Sequence, residues 1–392
     1  MQLSTKADAA RRALRSPQRI SATTRARLER LSAAFDQQAS CIAQLLQEVR
    51  PVGLGAPLAT HLALKTRLPP SQGLTSYHAN LHRDWVWGGQ ENDAAHSMVS
   101  AVLSQPADGT WLVLGAGAGR LAYDLARAAS DRSVVAVDLN PLFMVAAQQI
   151  SAGASLEHIE FPLAPVDGES IAITRTLSAP GAVSNLKFVL ADAMRAPFVA
   201  GSVGAVITPW FIDVIDEDLP RLAQRINRLL APGGRWVIFG SLVFDHPDPR
   251  RQYSHAEVLE ILTGAGFEDV VEQEQDIPYL CSPASRHGRR ERVVAIGSTK
   301  RSESEAPPRH EALPEWLTHS NRAVPQLESF KLQAMSTRIY AFIMSLIDGK
   351  RSLRDMAVLM EEQKLMPRRE AEEAIRGFLV KMYDEAQRPP PS

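Results

Sequence analysis

The chain has 392 residues, a formal net charge of −1 at pH 7, 22% charged residues and two cysteines, Cys41 and Cys281. That near-neutral balance gives no general attraction to nucleic acid or to an anionic membrane, and two cysteines are too few for a disulfide framework or a cysteine zinc site. No apolar stretch approaches ~18 residues and the start lacks the apolar centre of a signal peptide, so the expectation is a soluble, cytoplasmic chain with one substantial core and an accessory domain.

Residues 1–75 read as an N-terminal helical extension. Its first 50 residues hold nine Lys/Arg against four Asp/Glu, read as a solvated helical face. Leu28, Leu31, Phe35, Ile42, Leu45 and Val49 recur at spacings of three, four and seven, one apolar stripe that packs against the main domain. Pro51 to Pro70, rich in Gly and Pro, reads as a connector.

The main domain, 76–299, alternates strands and helices from about Thr110 to Ser298. Trp111 to Leu114 is a strand, followed by the turn Gly115-Ala-Gly117-Ala-Gly119 and a helix, Arg120 to Ala129. A second strand, Val134 to Val137, ends on Asp138. Strand, glycine turn, helix, strand and acid is how a doubly wound domain holds a nucleoside: glycines admit the ligand to the backbone, and the acid accepts bonds from the ribose hydroxyls. A dinucleotide binder carries G-x-G-x-x-G; the G-x-G-x-G spacing here resembles that of S-adenosylmethionine-dependent methyltransferases.

Pro141 sits in the first turn of a helix through Ile150, and 151–184 is a long irregular insertion. Strands follow at Leu186 to Leu190, ending near Asp192, and at Val203 to Ile207. Leu219 to Leu230 is an amphipathic helix closed by Pro232-Gly233-Gly234, which launches the strand Trp236 to Phe239. His255 to Ala265 is a helix stopped by Gly266, and Arg292 to Gly297 is the last strand. The fold class is α/β, a Rossmann-like doubly wound, mostly parallel seven-stranded sheet. Residues 300–312 form a charged, Ser-rich linker. Residues 313–387 form a small winged-helix-like domain with helices around Ile339 to Ile347, Leu353 to Met360 and Arg369 to Tyr383; the tail Pro389 to Ser392 is read as disordered.

Four stretches carry a resemblance to the carnosine N-methyltransferase family. They are Arg83-Asp84-Trp85 with Gly89-Gln90-Glu91-Asn92-Asp93, the glycine turn with Arg120-Leu121-Ala122, Val206 to Asp213, and Pro232 through Gly240-Ser241-Leu242 to Tyr253-Ser254. The resemblance implies S-adenosylmethionine as cofactor and an imidazole nitrogen of a histidine-containing small molecule or peptide as methyl acceptor. Gly115, Gly117 and Gly119 would cradle its methionine part, Asp138 its ribose, and Asp192 and Ala193 its adenine. Pro209 stands where the family has a cofactor-contacting Cys, and Asn92 replaces a family Arg near the cofactor carboxylate. Asp213, His246 and Tyr279 would be the catalytic, substrate-side residues, with His246 one position later than in the family. Trp85, Trp87, Trp210 and Phe211 are candidate walls for the sulfonium.

Bland readings stand beside these. Trp210 and Phe211 could be core, Asp213 a helix cap, His246 a loop residue and Tyr279 packing. The acceptor could instead be an amine, hydroxyl or thiol, for example in peptide maturation, or the core could be a non-catalytic scaffold. No metal is expected: His78 and His82 are four apart but have no evident third ligand, and no G-x-S-x-G elbow appears.

The segment Ile343 to Ala357 resembles the winged-helix peptide chaperone of pyrroloquinoline quinone biosynthesis. That resemblance implies capture of a peptide by an edge strand, for which Pro325 to Leu332 is the candidate. From Glu315 onward 12 Lys/Arg balance 11 Asp/Glu, which argues against nucleic-acid binding.

Overall fold

The computed structural model describes residues 2–16, 19–47, 78–103, 108–215, 217–308, 315–318 and 321–387. The connector at 51–70, Val49 and the tail from Pro389 lie outside the described residues. The chain divides into two compact units, Met1–Ala312 and Leu313–Ser392.

The larger unit is built on seven strands in the order β5-β2-β1-β6-β7-β9-β8. They span Thr110–Leu114 (β1), Val134–Asp138 (β2), Leu186–Leu190 (β5), Val203–Pro209 (β6), Leu230–Gly240 (β7), Phe267–Tyr279 (β8) and Arg289–Lys300 (β9). Leu156–Glu160 (β3) and Ile173–Leu177 (β4) pair separately as an antiparallel hairpin inside the 151–184 insertion. Only β9 runs against its neighbours in the seven-stranded sheet. Burial on both faces explains the near-continuous apolar run of β6, every residue of which is buried. One layer holds Leu112, Val206, Trp236 and Ile238 under the helix Leu219–Leu229, whose Leu222 and Ile226 cross the sheet. The other holds Val113, Ile207 and Val237 under Gly89–Leu103 and Arg120–Ala128.

Strand order reverses between β1 and β6, opening a crevice at their carboxyl ends where doubly wound sheets bind ligands. The glycine turn, Asp138 and the residues after Pro209 and Gly240 all leave the sheet at that edge. β8 runs parallel to β7, so Tyr279 at its end and Arg289 opposite it arrive at the same edge.

Three features differ from the sequence reading. β8 was not anticipated: its residues Glu268 to Asp276 are all exposed, because a charged edge strand satisfies the sheet without an apolar face. The insertion is a hairpin rather than irregular chain. In the smaller unit, 325–332 supplies no strand; Glu328 opens a helix to Ser345, followed by Leu353–Glu362 and Arg368–Gln387 around Ile343, Met356, Met360 and Ile375. With no strand among the described residues there, edge-strand capture of a peptide has no template. No described helix is long and apolar enough to cross a membrane.

The N-terminal extension forms two helices, Gln2–Arg15 and Ala22–Gln47. The second meets the insertion beside three histidines, two of them buried and His78 half-buried. His78 and His82 lie on the short helix His78–His82, and His158 on β3 faces both, at ring-centroid distances of 5.9 and 6.5 Å. Gln38 fixes the tautomer: its Oε1 accepts the Ile159 N–H at 2.6 Å, so its amide NH₂ is the group 2.8 Å from His158 Nδ1. His158 Nδ1 must accept, leaving the ring proton on Nε2. A metal at Nε2 would require the opposite tautomer, and no group of three His, Cys, Asp or Glu among the described residues is arranged to hold one.

Burial is the first cause that lowers the pKa of all three, to about 3 for His78 and His82 and about 4 for His158. The unfolded chain therefore binds protons that the folded one refuses, and stability falls as pH drops from about 6.5 towards 4. Urea unfolding followed by tryptophan fluorescence is expected to show a clearly lower midpoint at pH 5 than at pH 7. His82→Leu should flatten that dependence; equal midpoints for the wild type would contradict this reading.

Candidate active site

The glycine turn is held from three sides. Gly115 N–H and Ala116 N–H both donate to Val137 O, at 2.9 and 3.1 Å, tying the loop to the end of β2. Trp85 Nε1–H donates to Ala118 O at 2.8 Å, with the indole buried edge-on to Tyr123 at 5.4 Å. Asp84 Oδ2 accepts the Arg120 N–H at 3.2 Å, at the first turn of the following helix. Gly117 has φ +56 with open space where a Cβ would stand, so the peptide faces the crevice bare. Beside it, a Cβ at Gly115 would collide with the Phe211 ring, which lies against that turn.

Asp138 closes the cradle. Its Oδ2 accepts Gly117 N–H at 2.9 Å and its Oδ1 accepts Asn140 N–H at 2.8 Å. Burial raises its pKa, while these backbone donors pull it back. Each carboxylate oxygen has two lone pairs, so both retain acceptor capacity for a diol. Asp192 accepts Met194 N–H at 2.9 Å and caps the turn Ala193–Arg195 just past β5, the next strand end along the edge.

The segment Arg83–Trp87 is a single π-helical turn, a form often found at functional sites. Asn92 braces it, its amide donating to Arg83 O and Asp84 O at 3.2 and 3.3 Å. Arg83 pairs with Asp84 at 2.7 Å and Glu91 at 3.2 Å, and Glu91 in turn accepts Leu280 N–H at 2.9 Å. This buried network joins the turn under the glycine loop to the residue after Tyr279. Sequence reasoning noted Arg83 and Glu91 only as motif letters.

Further along the same edge, Asp213 Oδ2 accepts Val243 N–H at 2.9 Å, which links the segments after β6 and β7. Burial is the main cause that raises the Asp213 pKa, and the nearby Glu291 carboxylate adds to it. Pro209 ends β6, and Trp210 follows with φ +49. Trp210 packs on Tyr279 at 4.8 Å and on Phe239 at 5.8 Å. Trp210, Leu242 and Leu280 all have positive φ and all lie just past the carboxyl ends of strands; such backbone concentrates at functional sites. Tyr279 has a raised pKa, first from burial, while Arg83 opposes the shift.

The structure thus brings Asp213, Trp210 and Tyr279 to one edge of the sheet. The hydrogen bonds described for His246 stay in its own loop: Nδ1 accepts Asp248 N–H at 2.9 Å and Nε2 lies 2.8 Å from Arg251 Nη1. Glu291 and Arg289 stand beside Tyr279 and were missed in the sequence, because the strand that aligns them, β8, was missed.

Residues 112–238 match the family described as a methyltransferase domain. No curated protein matches the chain in sequence. Among solved structures, a methyltransferase from Thermotoga maritima, described as a possible histamine N-methyltransferase, is 15% identical with TM-score 0.33, covering 57% of this chain and 99% of that one. The YcgJ protein from Bacillus subtilis is 13% identical with TM-score 0.37, covering 54% and 99%. A methyltransferase from Methanosarcina mazei is 16% identical with TM-score 0.35, covering 52% and 97%. Likenesses at this level leave the acceptor open. The matched domain lies across the glycine turn and Asp138, and the protein is an S-adenosylmethionine-dependent methyltransferase.

Proposed function

We propose that the enzyme methylates an imidazole nitrogen of a histidine-containing small molecule or peptide. The observation that carries this reading is Asp213, a half-buried carboxylate in the segment after β6 that also carries Trp210 and Phe211, at the sheet edge where the glycine turn and Tyr279 lie. When bound, S-adenosylmethionine supplies an activated methyl group, whose carbon–sulfur bond breaks as a bond to the acceptor nitrogen forms. Gly115, Gly117 and Gly119 would hold its methionine part, Asp138 its ribose, and Asp192 and Ala193 its adenine, with Pro209, Trp85 and Asn92 shaping the pocket.

The protein's remaining work is alignment and protonation state. An imidazole nucleophile offers one bare nitrogen while the other carries hydrogen. Asp213 accepts that N–H, so the reacting nitrogen is the bare one, and its charge offsets the positive charge that grows on the ring. The ring proton then passes to Asp213 and on to solvent. Trp210 and Tyr279, packed on each other, form one aromatic wall for the ring, and His246 orients the rest of the acceptor from the loop after β7.

Two measurements check these roles. Calorimetric titration of S-adenosylmethionine should give binding in the wild type that is weakened at least tenfold in Asp138→Ala; equal affinity would remove Asp138 from the cofactor site. Asp213→Asn should keep cofactor affinity and lose turnover by roughly 10²-fold, the scale of general acid–base assistance. Undiminished turnover would remove Asp213 from catalysis.

A further inference from the structure

The ends of β8 and β9 form a hairpin in which Tyr279 lies opposite Arg289 and Ile277 opposite Glu291. Side chains alternate between faces along a strand, so these four share one face. Ile277 is fully buried, which marks that face as the inner one. The Arg289 guanidinium lies over the Tyr279 ring, 4.5 Å from its centroid, and pairs with the Glu291 carboxylate. Arg290 and Arg292 fall on the other face; Arg290 donates to Asp276 O and Arg292 pairs with Glu274 and Asp276.

Charge makes this pair unusual. The Glu291 side chain is 17% exposed and acts on both Asp213 and Tyr279, whereas the Arg289 side chain is 59% exposed. A withdrawn carboxylate beside a second carboxylate calls for a cation. Arg289 supplies it with a side chain that stays more than half exposed. The neighbouring cation, Arg83, is held by Asp84 and Glu91.

Resting on the imidazole reading above, we propose that Arg289 and Glu291 read the acceptor's charges and that the acceptor is a free α-amino acid. An ion pair whose two heads touch can open to offer one positive and one negative group side by side. An α-amino acid carries its ammonium and carboxylate on a single carbon, with the same short separation. Glu291 takes the ammonium and Arg289 the carboxylate in a two-pronged contact. A dipeptide spreads its charges several bonds apart and cannot satisfy both. Held by Glu291, the amine stays protonated and has no lone pair to attack, which leaves the ring nitrogen as the nucleophile.

The test titrates L-histidine, histamine, imidazole propionate, β-alanyl-histidine and L-phenylalanine into enzyme saturated with S-adenosylhomocysteine. L-histidine should bind best among the imidazoles. Glu291→Gln should weaken L-histidine and histamine at least tenfold and spare imidazole propionate; Arg289→Met should weaken L-histidine and imidazole propionate and spare histamine. The double variant R289E/E291R keeps an ion pair, and hence the hairpin, and should still lose L-histidine. Charge-dependent binding of L-phenylalanine equal to that of L-histidine would keep the pair and overturn the imidazole reading. Imidazoles binding equally well to wild type and variants would keep the imidazole and overturn the pair. Absence of binding by every amino acid also overturns it.

Discussion

One carboxylate organises the glycine turn of this molecule. Asp138 stands at the end of β2 and receives backbone N–H groups from Gly117 on one side and Asn140 on the other. The first bond fixes the glycine turn in its positive-φ shape; the second shapes the entry to the helix Pro141–Ser151, which Asn140 caps. An alanine at 138 would leave two backbone donors facing an apolar group, so loop and helix start would both loosen. Trp85 and Asp84 hold the same loop by hydrogen bonds, which links the π-helical turn to the glycine turn.

The opposite wall of the crevice follows from where the sheet ends. β6, β7, β8 and β9 bring Trp210, Asp213, Tyr279, Arg289 and Glu291 to one edge, next to the turn after β1. Helices cover both faces of the sheet, so this edge is where irregular backbone can approach a ligand. The insertion adds a clamp: Val166 N–H donates to Ala284 O, and Arg286 N–H to Ala164 O, which ties the loop after Tyr279 to the β3–β4 hairpin. Ser282 donates to Glu160 on that hairpin, and Glu160 also binds Arg175 at 2.7 Å. The loop that follows Tyr279 is therefore held by two independent elements, the hairpin and Glu91.

Much of this was legible in the sequence where one local rule dominates. The strand–turn–helix–strand run from Trp111 to Asp138 needs positive φ at its glycines and apolar residues on both faces of its strands, and both leave a mark in the letters. The amphipathic helix Leu219–Leu229 and the final helix Arg368–Gln387 are read from periodicity alone. Edge strands are harder. β8 offers nine consecutive exposed residues with no alternation, so nothing local distinguishes it from a loop until β9 is paired with it. Missing β8 also hid the alternation that places Arg289 and Glu291 with Tyr279. His158 was invisible for a related reason: its partners Gln38, His78 and His82 are 76 or more residues away and meet it only when the hairpin folds back. In the smaller unit the strand at Pro325 to Leu332 was implied by the resemblance alone, whereas the residues from Glu328 onward continue the helix that runs to Ser345.

The claim on which the functional account turns is the chemical identity of the methylated atom. Incubating the enzyme with deuteromethyl S-adenosylmethionine and a cell metabolite extract, then mapping the added label by tandem mass spectrometry, addresses it directly. The account predicts a trideuteromethyl group on an imidazole ring nitrogen. A label found on an amine, hydroxyl or thiol would contradict it.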